Sequence, residues 1–470
     1  MMDLERLVAA LGAIEVIGRA PIEVRDLAYD ARAVTPGAVF FCVPGAQADG
    51  HDFGVEAVER GAVALVVERP LDVLEGQSAV PQIVVPDARA AMAVAADEFF
   101  DRPTEQLEVA GVTGTSGKTT TSFLLFAILA AAGRRPGLLG TVEARIGGER
   151  RGVQRTTPEA IELQRLFREM LDVGDRSCAM EASSHASELH RLDRVRFSAL
   201  VFTNLSQDHL DFHGDMETYF QAKRRLFLEG SPRAAVNIGD EYGRRLAKEL
   251  PDALTFGFAD DAEIGPQALA GMDVKLRGRF NAENALGAFA AARLLGIADD
   301  AIARGIESVR GVPGRFESVD EGQSFAVIVD YAHKPGALEN VLRAARDLAG
   351  GGRVIVVVGA GGDRDRGKRP LMGRLASELA DATIVTSDNP RSEDPQAIID
   401  EILAGVVGDV DVELDRAAAI NHAIELAREG DVVLIAGKGA EPGQQIADRT
   451  IPFDDREAAR DALRKQAART

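Results

Sequence analysis

The chain reads as short apolar runs separated by longer stretches in which apolar residues recur with helical spacing. Runs at 38–43, 62–67 and 82–85 read as strands of a small α/β domain. Further strands are expected at 107–112, 178–180 and 199–203, and then at 325–329, 353–358, 382–386 and 431–435. Helices are expected at 120–132, 158–173, 282–295, 370–379 and 416–428. Strands alternating with helices predict parallel sheets covered by helices, an α/β fold class. Asp101-Arg102-Pro103 and Pro313-Gly314 punctuate the pattern. They suggest three domains: a small α/β domain over 1–97, a central parallel-sheet domain over 98–312, and a doubly wound, Rossmann-like α/β domain over 313–470. No internal repeat or low-complexity tract interrupts them.

Composition narrows the class. With 470 residues, 46% of them hydrophobic, the chain can bury two or three cores. No apolar run approaches the roughly 20 residues needed to span a bilayer, and the first residues, Met1-Met2-Asp3-Leu4-Glu5-Arg6, lack the pattern of a signal peptide. Cys42 and Cys178 both sit in apolar runs, as buried thiols in a reducing cytoplasm would. The net charge of −20 argues against nucleic acid as a partner. It also means that any anionic substrate needs local Arg, Lys or Mg²⁺.

The segment Gly114-Thr115-Ser116-Gly117-Lys118-Thr119-Thr120 lies between an expected strand and an expected helix. A glycine turn there turns backbone N–H groups and a helix N-terminus toward an anion. Lys118 adds positive charge for outer phosphates, and the Thr119 hydroxyl can ligate Mg²⁺. The loop is a compact variant of the general nucleotide pattern, because position 112 is Val where a glycine is usual. Other polar residues also follow strands: Glu181; Asn204, Asp208 and His209; Asp330 and His333; Gly361 to Arg364; Asp388 to Arg391; and Gly437 to Gly439. Open α/β sheets bind ligands at that edge, so a cleft between domains is the expected site.

With these residues the chain resembles the Mur ligase family, most closely its MurE type. The resemblance runs over nearly the whole chain. It includes Gly114 to Thr120, Thr156-Thr157-Pro158, Met180-Glu181-Ala182-Ser183-Ser184-His185, Thr203 to Asp211 and Ala222-Lys223. It continues through Gly278 to Asn284, Val312 to Glu317, Asp330-Tyr331-Ala332-His333, Gly361 to Pro370, Asp388 to Arg391 and Gly437-Lys438-Gly439. The resemblance implies an ATP-dependent amide ligase. It would add meso-diaminopimelate to UDP-N-acetylmuramoyl-L-alanyl-D-glutamate, through an acyl phosphate, in peptidoglycan precursor synthesis. It would be a cytoplasmic monomer.

The resemblance also implies roles. Gly114, Thr115, Ser116, Gly117, Lys118, Thr119, Thr120, Asn281, Asn284, Arg315 and Asp330 would bind ATP. Thr119, Glu181, His209 and Lys223 would serve Mg²⁺, with Lys223 carrying a CO₂-derived carbamate. Lys118, Lys223 and His209 would be catalytic. The first domain would hold the uridine end of the UDP-sugar dipeptide, at Ala31. Thr156, Thr157, Ser183, Arg191 and Lys223 would hold the rest. Arg364, Asp388, Asn389, Pro390, Arg391, Gly437 and Glu441 would bind diaminopimelate, with Arg391 gripping its distal carboxylate. A loop arginine paired with Glu393 or Asp394 is the plainer reading of Arg391.

Three positions depart from the family pattern: Ala31 where serine is usual, Ala440 where histidine is common, and Leu189 where glutamine is frequent. Three alternatives remain at this stage. Another Mur ligase, adding a different residue, fits the motifs at 361–370 and 388–391 less well. A folylpolyglutamate synthase would share the phosphate loop but not the motifs at 361–370 and 388–391. A catalytically silent ATP- or UDP-sugar-binding regulator would tolerate Ala31 and Ala440, but would have no need of Lys118, Thr119, Glu181, His209 and Lys223 together.

Overall fold

The computed structural model describes residues 2–18, 21–45, 48–72 and 80–468. The chain forms two compact units, each discontinuous in sequence. The first comprises Met1–Thr113, Gly133–Leu200 and Ala222–Arg233; the second comprises Gly114–Ala132, Val201–Gln221 and Ala234–Thr470.

The first unit contains a five-stranded sheet in the order Glu15–Ile17, Gln82–Val84, Ala64–Val67, Ala38–Phe41, Asp26–Ala28. All neighbours are parallel except the first pair. Successive side chains point to opposite faces, so Val39 and Phe41 enter one core and Phe40 and Cys42 the other. Both faces are covered, which is why these strands are apolar without alternation. A second group of strands runs Glu149–Arg151, Ala144–Ile146, Pro136–Leu139, Ser177–Glu181, Glu108–Thr113. The last three are parallel. The first two form an antiparallel hairpin whose register leaves only Gly147 and Gly148 as the turn. Both have positive φ (58° and 86°), as a type I′ turn requires.

In the second unit, helix Lys118–Ala131 packs against helices Arg279–Leu294 and Asp299–Ser308. The unit also holds a six-stranded sheet ordered Glu317–Ser318, Ala326–Asp330, Val432–Ala436, Val354–Val358, Ala382–Val385, Asp411–Val412. Only its first pair is antiparallel. Val354, Val356 and Val358 enter one core, and Ile355 and Val357 the other. The carboxyl ends of its parallel strands therefore present Asp330, Gly437, the 359–364 loop and the 386–391 loop along one edge.

The phosphate-loop helix is held by a close approach. A Cβ on Gly305 would lie 2.4 Å from Ile128 Cα and 2.7 Å from Ile128 N. Gly305→Ala should push helix Asp299–Ser308 off its neighbour and cost about 1–3 kcal/mol. Urea unfolding checks this; an unchanged midpoint would show that the helices can separate freely.

Candidate nucleotide and amino-acid sites

Gly114 and Gly117 have φ of 146° and 86°, and Gly117 is the residue before helix Lys118–Ala131. Neither has room for a side chain: a Cβ would lie 1.9 Å from Thr203 Oγ1 at Gly114 and 2.2 Å from Asn284 Oδ1 at Gly117. The loop is pinned from residues 203–206. Thr115 N donates to Asn204 O at 2.9 Å, Ser116 N to Asn204 Oδ1 at 3.0 Å, and Thr203 Oγ1 to Ser116 O at 2.7 Å. Thr115 Oγ1 lies 3.1 Å from the Tyr219 hydroxyl. Lys118 Nζ donates to Gly114 O and Thr115 O, each at 2.9 Å, which holds the ammonium over the loop. Thr119 Oγ1 accepts from Arg315 Nη2 at 3.1 Å. Asn284 is buried against Gly117, and its Nδ2 donates to Asn281 Oδ1 at 3.2 Å, so this pair shapes the loop.

Further charges gather in the same unit. Asp208 pairs with His209 at 2.8 Å and with Lys334. Burial alone would raise the Asp208 carboxyl, but Lys334 and His209 hold it well below the usual range. Burial lowers the His209 imidazole. His333 Nδ1–H donates to Tyr331 O at 2.8 Å. Burial, with Lys334 and Lys368 beside it, keeps His333 neutral. Asp330 accepts backbone N–H bonds from Phe316 and Ala332, each 2.7 Å long, while burial pushes its carboxyl up to about 6. Arg315 lies over the Tyr331 ring, 4.2 Å from its centre.

Along the six-stranded sheet's edge, a Cβ on Gly361 would lie 2.9 Å from Arg391 Nη1 and 3.9 Å from Arg364 Cγ. Two guanidinium side chains therefore flank one glycine. Arg391 Nη1 donates to Gly362 O at 2.6 Å, and Arg391 makes no salt bridge with any described residue. The plainer reading, an ion pair with Glu393 or Asp394, is not what the fold contains, because Glu393 pairs with Arg369 at 2.7 Å. Burial lowers the Arg391 guanidinium, and the charge of Arg364 adds to this. An anion entering here would relieve that repulsion.

Pro390 O lies where a Cβ on Gly362 would be, at 1.9 Å, so the two loops touch through backbone. Asp388 faces Gly437 in the same way, its Oδ2 lying 2.5 Å from the position of a Cβ there. Glu441 Oε2 accepts from Asn389 Nδ2 at 2.9 Å and from Lys438 Nζ at 3.1 Å. Lys438 also donates to Asn389 Oδ1 at 2.9 Å.

The first unit contains the remaining candidates. Glu181 accepts from Thr141 N at 2.7 Å and from Thr141 Oγ1 at 3.0 Å; Thr141 Oγ1 in turn lies 3.0 Å from Thr156 Oγ1. Thr157 Oγ1 donates to Glu181 O at 2.9 Å and lies 3.3 Å from Ser183 Oγ. Arg191 donates to Thr157 O at 3.2 Å and pairs with Glu159 at 2.8 Å. Lys223 is buried, 1% exposed, on helix Met216–Glu229. Ala31 is also buried, its methyl in the apolar cluster of Phe40, Cys42 and Leu65, and it joins none of these polar residues.

Thr141 and Arg369 were missed by the sequence reading. Only the Gly140-Thr141 step after a strand hints at the first; the second lies in the 361–370 motif but was given no role there, and its side chain is fully buried. Among the described residues, no three His, Cys, Asp or Glu side chains cluster as a ready-made metal cage. A cramped glycine loop at a helix N-terminus, with Lys118 over it and the Thr119 hydroxyl in its first turn, fits a magnesium-bound triphosphate.

Arg369 also holds Gly361 O at 3.2 Å, and Glu393 Oε1 accepts from Asp363 N at 2.6 Å. This pairing lowers the Glu393 carboxyl from 4.5 to about 2. Because the folded value is the lower one, the stabilisation is complete above 4.5 and fades as pH falls toward 2. The stability gap between the native protein and Glu393→Gln, read by urea midpoints across pH, should therefore narrow as the solution is acidified from 4.5 to 2. A gap independent of pH would show that the ion pair contributes nothing.

Three family models match the chain: "Mur ligase family, catalytic domain" over residues 23–100, "Mur ligase middle domain" over 112–292, and "Mur ligase, glutamate ligase domain" over 314–439. A UDP-N-acetylmuramoyl-L-alanyl-D-glutamate--2,6-diaminopimelate ligase of Solibacter usitatus is 47% identical, across 95% of this chain and 94% of that one. The protein of the same name from Geobacillus thermodenitrificans is 46% identical, across 99% and 100%. A solved structure of a ligase of that name superposes with a TM-score of 0.67 at 29% identity, covering 99% of both chains.

Proposed function

The chain belongs to the Mur ligase family, and from that premise we propose that it joins meso-diaminopimelate to UDP-N-acetylmuramoyl-L-alanyl-D-glutamate at the expense of ATP. The observation that carries the choice of amino acid is the Arg364–Arg391 pair beside Gly361, with no carboxylate on Arg391. Diaminopimelate differs from lysine by one distal carboxylate, and a guanidinium can grip a carboxylate through two parallel hydrogen bonds.

In the reaction, a carboxylate oxygen of the dipeptide attacks the terminal phosphorus of ATP, and ADP leaves. The amine of diaminopimelate then adds to the acyl phosphate carbonyl. The tetrahedral adduct loses a proton and expels phosphate, leaving the amide. The first step joins two anions, so the protein's contribution is positioning and charge neutralisation. Lys118 and the loop N–H groups offset the outer phosphates. Arg315 lies at Thr119 with its guanidinium on the Tyr331 ring, and Asp330 fixes the backbone just after each of these two residues, at Phe316 and Ala332.

Mg²⁺ would supply charge screening between the anions. Thr119 and Glu181 are the residues proposed for the Mg²⁺ at the outer phosphates, and His209 for a second Mg²⁺; Thr141 donates to both carboxylate oxygens of Glu181. Thr156, Thr157, Ser183 and Arg191 are assigned to the UDP-sugar dipeptide, and Asn281 and Asn284 to the nucleotide. Ala31 offers no side-chain hydrogen bond, so the uridine contact there is lost or moves to backbone or water. Among the described residues, no helix is long and apolar enough to cross a membrane. The two free, buried cysteines suit the cytoplasm, where we place the reaction.

Lys223 is proposed to carry a carbamate, a carboxylate on a long arm that forms only from the neutral amine. Lys223→Ala should be nearly inactive and should regain turnover with added acetate or formate. Full activity of that variant without any added carboxylate would identify the lysine as structural.

Release of ADP that requires both the UDP-sugar dipeptide and an amino acid tests the reaction itself. Across a panel of amino acids, kcat/KM should favour meso-diaminopimelate strongly over L-lysine. Removing one partner of a part-buried charge contact should cost about 2 kcal/mol, so Arg391→Ala should lower kcat/KM for diaminopimelate roughly thirtyfold. Equal use of the two amino acids by the unmodified enzyme would refute the assignment.

A further inference from the structure

Beneath the amino-acid end of the site lies an ion pair that the chemistry above does not use. Arg416 begins helix Arg416–Leu426 and Asp455 begins helix Asp455–Ala467. Both side chains are 0% exposed. The pair is bidentate: Nε to Oδ1 and Nη2 to Oδ2, each at 2.7 Å.

The guanidinium has hydrogens left over, and they go to two strand ends. Nη2 donates to Ala436 O at 3.0 Å, and Nη1 reaches Ser387 O at 3.4 Å. Ala436 precedes Gly437 and Ser387 precedes Asp388, so one side chain grips the bases of both loops. The loops nearly touch at that point. A Cβ on Gly437, whose φ is 123°, would lie 2.5 Å from Asp388 Oδ2 and 3.8 Å from Arg416 Nη2.

The register set there is passed outward. Gln444 Nε2 donates to Asp388 O at 2.7 Å, Lys438 holds Asn389, and Arg391 N donates to Gln445 O at 3.1 Å. Stability alone is a poor reason for such a pair, since well-packed apolar residues often serve as well as buried ions. What apolar residues cannot do is hold two carbonyls at a fixed spacing.

We propose that Arg416, locked by Asp455, is a positioning residue that sets the distance between the Asp388–Arg391 loop and the Gly437–Glu441 loop, and hence the fit of the amino-acid substrate. The proposal rests on the reading that these loops bind diaminopimelate. Lysine in place of Arg416 would keep the charge but lose the planar fork.

The test is Arg416→Lys, with Asp455→Asn as a second variant, in steady-state ADP release with each of the three substrates varied in turn. In both variants the KM for meso-diaminopimelate should rise about tenfold, while the KM values for ATP and the UDP-sugar dipeptide stay within about twofold. The preference over L-lysine should fall with it. A role in folding alone would lower the active fraction, and so kcat, without separating one substrate from the others.

An unchanged KM for diaminopimelate in a folded variant overturns the proposal. So does failure of both variants to fold, which would assign the pair to folding. An unmodified enzyme unable to use diaminopimelate defeats the substrate reading instead. The same rise in KM is then expected for whichever amino acid of the panel it does turn over.

Discussion

Phosphoryl transfer has to bring a triphosphate and a carboxylate together in a chain whose formal charge is −20. Like charges repel over about 10 Å at ordinary ionic strength, so the protein cannot leave its own carboxylates facing the substrates. Much of the acidic surface is quenched locally, in pairs such as Arg244–Asp261, Arg293–Asp299 and Arg168–Asp172. At the strand ends of the second unit, Asp208 is engaged by Lys334 and His209, and Asp330 by the backbone N–H groups of Phe316 and Ala332. There too, carboxylates are held by partners of the same chain.

The glycine loop was legible because its chemistry is local. Gly114, Gly117, Lys118 and Thr119 need only a strand before them and a helix after them. The motif at 388–391 was legible in identity but ambiguous in role, since a loop arginine beside Glu393 and Asp394 invites an ion pair. In the fold Glu393 pairs instead with Arg369, from a helix with no local link to it in the sequence. Thr141 and the Arg416–Asp455 pair escaped for the same reason. Each is defined by a partner tens of residues away, and composition carries no trace of such a pairing. The compact units are themselves discontinuous, with the phosphate-loop helix in a different unit from the strand that leads into it.

Ala31 shows how a departure from a family pattern can be absorbed. Its methyl packs into the apolar cluster under Phe40 and Leu65, and the neighbouring Asp30 caps the short turn by accepting from Arg32 N at 3.0 Å. The local backbone is thus held without a side-chain hydroxyl at position 31. The backbone geometry of the segment does not depend on a side-chain hydrogen bond at position 31.

The crowding at Gly114 and Gly117 bears on how this protein could evolve under attack. Any side chain at either position would collide with Thr203 or Asn284, so neither residue can be exchanged without rebuilding its neighbour. What the loop offers a ligand is mostly main chain, which substitution cannot rewrite. A small molecule that drew its affinity from those N–H groups would leave the protein few single mutational escapes. One that relied on Arg364, which is exposed and bonded to a neighbouring carbonyl, would be far easier to evade.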